Sequence, residues 1–259
     1  IPAFLTGCKG GVKVKDYMEK WDLNTGGTEA AIPSSVEGGT GAEQNWCVWL
    51  PNDTFGKVLD FSTEGSYVRA KNTRIDLTKD FTLSAFIMAP PREDNDRMIL
   101  SIGRDVKWYL SAENDFALTF EAKGLEGLES SGKPLVDGLW HHVMLTKGGK
   151  TVTYYVDGEA VKTCTVSGDI QLESTDVTLG ADKSDESGFD GSMAEVAVIK
   201  GAKKPAEVTK TQIKASDNEA KDTRIPLKHG VVIDRPQYFS NLVPLSYTNK
   251  SDIVNCINM

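Results

Sequence analysis

The stretch Asp137-Gly138-Leu139-Trp140-His141-His142-Val143-Met144-Leu145, followed by Thr151-Val152-Thr153-Tyr154-Tyr155-Val156-Asp157-Gly158-Glu159, constrains the fold more than any other part of the chain. Val143 and Leu145 take alternate positions on the first arm, and Val152, Tyr154 and Val156 do so on the second. That is the two-residue period of a half-buried strand. Lys147-Gly148-Gly149-Lys150 supplies the positive-φ residues that a tight turn needs. Asp157-Gly158 makes a second two-residue turn into Ala160-Val161-Lys162-Thr163-Cys164. The segment therefore predicts three consecutive antiparallel strands.

Further strands are expected at the spacing of a β-sandwich: Phe81 to Ile87, Met98 to Ile102, Trp108 to Leu110, Phe116 to Phe120, Asp176 to Gly180 and Phe189 to Ile199. In the first of these, alternation puts Phe81, Leu83, Ala85 and Ile87 on one face. Asn24 to Asn45 is dense in Gly, Thr, Ser and Glu and reads as a long loop. A short helix is expected near Pro205. Beyond it, Pro226, Pro236 and Pro244 interrupt the apolar runs and exclude a central strand, so the C-terminus reads as an extended tail.

The Trp140-His141-His142-Val143 and Tyr155-Val156-Asp157-Gly158 pair resembles the W-H-H-V…Y-V-D-G signature of laminin-G-like domains in the concanavalin A-like jelly-roll superfamily. Other landmarks agree. Gly56 to Phe61 with Ser66 to Ala70 resembles the family's G-x-A-L-x-F and Y-V strands. Phe81 to Ile87 is similar to its F-T-I-S-A-W strand, with Phe86 in place of Trp. Phe189 to Ile199 resembles its closing F-x-G-x-I-D-E-V-x-I, with Ala194 where an acid often stands. The resemblance implies an all-β, antiparallel two-sheet sandwich, with Trp140, Tyr154 and Val156 contributing to the core. It divides the chain into a lead-in (1–11), a sandwich domain (12–208), and a linker with a proline-containing tail (209–259).

A net charge of −8 argues against nonspecific nucleic-acid binding, which needs basic surface to displace counterions from phosphates. No apolar run approaches the ~20 residues of a membrane-spanning helix. Cys8, Cys47, Cys164 and Cys256 are widely spaced, which fits two disulfides in an oxidising compartment. Asn52-Asp53-Thr54 and Asn249-Lys250-Ser251 match the N-glycosylation pattern. These features point to a secreted protein whose start at Ile1 implies an upstream segment removed. Leu5-Thr6-Gly7-Cys8 reads like a bacterial lipobox. Lipidation would have removed the residues before Cys8, so a disulfide cysteine is the preferred reading. In jelly rolls of the resembled kind the first and closing strands lie side by side, which implies pairing Cys8 with Cys256 and leaves Cys47 for Cys164.

The chemistry offered is sparse. His141 and His142 are adjacent on a strand, point to opposite faces and cannot converge on one ion or substrate; one imidazole is expected inside the sandwich and the other exposed. No nucleophile elbow is present. No E-x-D-x-E run puts two carboxylates at the ~5 Å separation that a retaining glycosidase requires. Asp182, Asp185, Glu186 and Asp190 cluster before the last strand and are candidate calcium ligands at a rim site, the family's manner of engaging ligands, although Ala194 removes one inherited acid. Trp46 and Trp49 form either an aromatic platform for sugar rings or a hydrophobic plug beneath the long loop; the high mean burial of Trp favours the plug. The resemblance thus implies a noncatalytic extracellular module, able to oligomerise, that engages glycan or protein through its loops. The alternative is a carbohydrate-active enzyme or its carbohydrate-binding module. A pentraxin-like lectin is a third reading, but its H-x-C-x-[ST]-W motif is absent.

Overall fold

A computed structural model describes residues 12–25, 31–91, 95–182 and 188–218, and two short strands at 225–226 and 232–233. From the N-terminus, β1 is Tyr17–Trp21, β2 Ala31–Ile32, β3 Ala42–Asn45, β4 Val48–Asn52, β5 Gly56–Asp60 and β6 Tyr67–Ala70. Then come β7 Phe81–Met88, β8 Arg97–Ile102, β9 Val106–Ser111, β10 Ala117–Ala122, β11 Leu125–Glu126 and β12 Trp140–Gly148. The chain continues as β13 Thr151–Val156, β14 Glu159–Thr165, β15 Ser167–Gly168, β16 Val177–Leu179 and β17 Ser192–Lys200, before one-turn helices α1 Pro205–Val208 and α2 Ala215–Asn218.

Two antiparallel sheets form a sandwich. Sheet A runs β14-β13-β12-β7-β17-β5-β4, with β1 also on β17, and sheet B runs β10-β9-β8-β16-β6-β3-β2. The expected meander is β12-β13-β14, with Asp157 and Gly158 at positive φ in its second turn (52° and 88°). Alternation fills the space between the sheets with Val143, Leu145, Val152, Tyr154 and Val156 from the meander and Phe81, Leu83, Ala85 and Ile87 from β7. Across from them lie Leu100, Ile102, Trp108, Leu118 and Phe120 of sheet B. The stretch 24–45 is not wholly loop: it contributes β2 and β3, because β3 finds a partner in β6.

Trp140 is buried at 5 % exposure, but not between the sheets. It packs on the outer face of sheet A with Val58, Phe86 and Ala194, joined by Leu50, Phe55, Met88 and Ile213. Phe55 packs with tilted rings 5.0 Å from Phe86 and 5.6 Å from Trp140, pairs each worth about 1 kcal/mol beyond their area. Ala194 sits in this apolar cluster, where a carboxylate would be stripped of water. Past it, β17 bulges at Glu195 (φ 48°) and trades its neighbour β5 for β1.

The chain does not leave the sandwich after Val208. Residues 211–218 strap across the outer face of sheet A and latch onto the β4–β5 turn. Asp217 accepts hydrogen bonds from Asp53 N (2.9 Å), Thr54 N (2.9 Å) and Thr54 Oγ1 (2.6 Å), and Thr54 Oγ1 in turn accepts from Lys214 N at 2.8 Å. Asn218 Oδ1 accepts from Trp140 N at 2.8 Å. Among the described residues no helix is long and apolar enough to cross a membrane.

Candidate functional site

Between the end of β3 at Asn45 and the start of β4 at Val48 the chain crosses from sheet B to sheet A in two residues. Gln44 Oε1 accepts the Cys47 N–H at 3.0 Å and tightens the corner, while Cys47 turns inward to 8 % exposure. Trp46 therefore turns outward. It is 69 % exposed and held at φ 59°, a left-handed conformation that costs a bulky side chain about 1 kcal/mol or more. Trp49 has the opposite fate: it packs against the core, its Nε1 buried without a hydrogen-bond partner among the described residues. One tryptophan of the pair is displayed to solvent and the other is packed against the core.

The residues that lead into this corner line a cleft of about 330 Å³, with Gly41, Glu43, Gln44, Asn45, Tyr67, Arg69 and Lys71 around it. Register builds it. Val68 and Ala70 of β6 face the core, so Tyr67 and Arg69 face out, opposite Asn45 and Glu43 of β3 respectively. The Arg69 guanidinium lies 4.3 Å from the Tyr67 ring centroid, and its Nε donates to Thr178 Oγ1 at 3.3 Å. Asn45 Nδ2 donates to Gly65 O at 3.1 Å. The polar row continues over sheet B through paired positions Arg69, Thr178, Ser101, Lys107 and Glu121. An exposed aromatic plane beside fixed donors and acceptors is an arrangement that stacks on a sugar ring and hydrogen-bonds its hydroxyls. Of these residues sequence reasoning singled out Trp46 alone. Alternation along β6 puts Tyr67 with Arg69, but their meeting with Glu43 and Asn45 needed a strand pairing inside an apparent loop.

The histidines diverge, but neither is exposed, which corrects the expectation of one free imidazole: His141 is at 8 % and His142 at 6 %. The strap and Phe55 cover the outer face on which His142 lies, and two aspartates close the rim around His141. His141 Nδ1 is 2.8 Å from Asp157 Oδ2, and Nε2 is 3.2 Å from both Asp137 carboxylate oxygens. Burial pulls the His141 pKa down, but the bond and charge of Asp157, then Asp137, hold it above its ordinary value overall. His142 Nε2 is 2.9 Å from Ser84 Oγ, a nucleophile–base distance, yet Ser84 is 3 % exposed and the ring lies 4.7 Å from Phe86. Burial lowers the His142 pKa to about 4, partly opposed by the Asp157 charge. Both imidazoles and the Ser84 hydroxyl are thus in buried residues.

Of the expected calcium ligands, Asp185 and Glu186 lie outside the described residues. Asp182 is paired with Lys107 at 3.4 Å and Asp190 with Arg97 at 2.8 Å. Among the described residues no group of three His, Cys, Asp or Glu could hold a metal ion. Asp60 is buried with Ser62 and Ser192 on its oxygens; burial raises its pKa and those bonds partly offset the rise.

The expected Cys47–Cys164 disulfide is not formed; both thiols are free and buried. Cys164 is on β14 at one edge of sheet A and Cys47 adjoins β4 at the other, six strand spacings or roughly 29 Å away, far beyond disulfide reach. Burial, then the Asp60 charge, pushes the Cys47 thiol up to about 12. Cys8 and Cys256 lie outside the described residues, as does Asn249. Asn52 is 8 % exposed, and its Oδ1 accepts the N–H groups of Thr54 and Phe55 at 3.0 Å each.

A profile described as the concanavalin A-like lectin/glucanases superfamily, of laminin-G type, matches residues 62–209, more than half of the chain. The chain belongs to this superfamily. A search of curated proteins found no significant match. Among solved structures, domain 4 of AbnA, an extracellular arabinanase from Geobacillus stearothermophilus in complex with arabinotriose, is similar at 14 % identity and TM-score 0.58, over 76 % of this chain and 98 % of that one. The sialidase of Trypanosoma rangeli is similar at 14 % identity and TM-score 0.55, over 77 % of this chain and 33 % of that one. The binding domain of botulinum neurotoxin serotype D follows at 8 % identity and TM-score 0.55, over 73 % and 49 %. The chain thus spans about half of the toxin domain and a third of the sialidase. These similarities establish a shared fold.

Proposed function

We propose that this superfamily member is a noncatalytic glycan-binding module. Trp46 stacks on a sugar ring, and Glu43, Asn45, Tyr67 and Arg69 hydrogen-bond its hydroxyls. The observation behind this reading is Trp46 itself: a large aromatic at 69 % exposure, fixed in a left-handed corner one residue along the chain from an open polar cleft. Strained, exposed aromatics concentrate where binding repays them. The similar arabinanase domain, matched over nearly its whole length, was solved with arabinotriose, which supports a saccharide as ligand.

Titration calorimetry with neutral oligosaccharides selected on a glycan array tests the assignment. Trp46→Ala should weaken binding at least about ten-fold, the effect of removing a stacked aromatic anchor. Unchanged affinity in Trp46→Ala, or turnover of the bound saccharide by the wild type, would overturn it.

A further inference from the structure

The corner that displays Trp46 is held by the residues on either side of it. Gln44 stands opposite Val68 and two positions after Ala42, both core residues, so it takes an inward position of β3 that alternation would fill with an apolar side chain. An amide placed there must find a partner, because burial strips it of water. Gln44 is half-buried, and its Oε1 accepts the Cys47 N–H at 3.0 Å, a bond that spans Asn45 and Trp46.

Cys47 fixes the other side. Its Sγ lies 3.4 Å from Tyr67 O and 3.5 Å from Asn45 O, the carbonyls of the last residue pair in the β3–β6 ladder. The raised thiol pKa keeps the proton on sulfur at neutral pH, so the thiol donates there. Asn45 is held in turn by its Nδ2 bond to Gly65 O. Both chain neighbours of Trp46 are thus anchored, while Trp46 itself stays in solvent.

These ties oppose a local strain. A bulky residue at φ 59° gains by returning to negative φ. Doing so would move the following peptide group, and with it the Cys47 N–H, off Gln44 Oε1. That leaves an unpaired donor in a buried residue, a cost at least comparable to the strain. An aromatic already fixed in its bound pose loses less freedom on contact, so a preformed corner raises affinity.

We propose that Gln44 is a positioning residue of the saccharide site: its amide oxygen, through the Cys47 N–H, holds Trp46 in the exposed left-handed pose before any ligand arrives. Its bearing on the saccharide rests on the function proposed above; its hold on the corner does not.

The test uses Gln44→Met, which keeps the side-chain length and loses the acceptor, and Gln44→Glu, which restores an oxygen there. Readouts are amide exchange at Cys47, the Trp46 indole N–H signal in a heteronuclear NMR spectrum (assigned by its absence in Trp46→Ala), and calorimetric affinity for the neutral oligosaccharide that the array selects. In Gln44→Met, exchange at Cys47 should accelerate about ten-fold or more, the Trp46 signal should move or broaden, and affinity should fall about three- to ten-fold, the loss expected of one hydrogen bond. Gln44→Glu should return exchange and affinity to within about two-fold of wild type and restore the Trp46 line shape. A purely structural glutamine would lower the melting temperature of Gln44→Met without changing the Trp46 signal, and that outcome overturns the proposal. So does Gln44→Glu behaving as Gln44→Met, or a wild-type Cys47 amide that exchanges as fast as an exposed one, a measurement that needs no variant. Wild-type affinity in Gln44→Met beside a loss in Trp46→Ala would end the positioning role and leave the saccharide reading intact. No saccharide binding by the wild type would end that reading, and the Cys47 and Trp46 signals would still decide what holds the corner.

Discussion

The two outer faces of the sandwich come from the same strand alternation and end in opposite states. On sheet A the outward residues Phe86, Trp140, Val58 and Ala194 are apolar and covered by Phe55 and the 211–218 strap. On sheet B the outward row of Glu43, Arg69, Thr178, Ser101, Lys107 and Glu121 is polar, with Thr178 and Ser101 buried at its middle, and the corner at its edge displays Trp46 to solvent. The difference separates two tryptophans that composition cannot tell apart. Trp140, in the signature that marks the fold, is a structural residue under a strap. Trp46, outside any signature, is the one a ligand can reach.

The largest expected effect is on the covered face. Trp140→Ala should cost about 3–4 kcal/mol in urea denaturation, the range for emptying a buried aromatic site. A loss below about 1 kcal/mol would mean that the cluster is not held together as described.

Acid should discriminate the faces next. His142 is neutral when folded, with its pKa lowered from 6.5 to about 4, so the unfolded chain takes up a proton first and stability falls as pH drops from 6.5 toward 4. His141 has the opposite sign: its raised pKa adds stability below 6.5 that is lost as pH rises through the folded value. In His142→Gln the acid-side fall should shrink by about 2–3 kcal/mol, measured as denaturation midpoints across that window. An identical fall in the variant would place the titrating group elsewhere.

A smaller loss, about 1–2 kcal/mol, is expected from Asp217→Ala, which removes the acceptor of three hydrogen bonds that latch the strap. Tryptophan emission should shift to the red as water reaches Trp140. An unshifted spectrum would show that the cover does not depend on the latch. At the exposed corner, Trp46→Ala should leave stability within about 0.5 kcal/mol while weakening the glycan affinity at least about ten-fold, as tested above. A large destabilisation there would make Trp46 a packing residue and end the comparison.

Much of the sandwich was legible because alternation is local. The inward sets on β7, β12 and β13 follow from a two-residue period, and the Asp157-Gly158 turn follows from the φ those residues tolerate. The site was legible only in part. Trp46 could be named from its residue type, but its exposure depended on a two-residue crossing between sheets, and its partners Tyr67 and Arg69 depended on β3 pairing with β6 inside a glycine-rich stretch. The cysteines show the same limit, since spacing allowed a bond between Cys47 and Cys164 that strand order puts at opposite edges of one sheet.

What the sequence by itself determined is the antiparallel sandwich and its superfamily, because periodicity, turn residues and the W-H-H-V motif act within a few residues of chain. What only the tertiary structure decided is which of the outward-facing residues remain accessible. Alternation says that a side chain leaves the core; whether another segment then covers it is set by contacts between residues as far apart as Thr54 and Asp217, and free energy at that range depends on the whole fold.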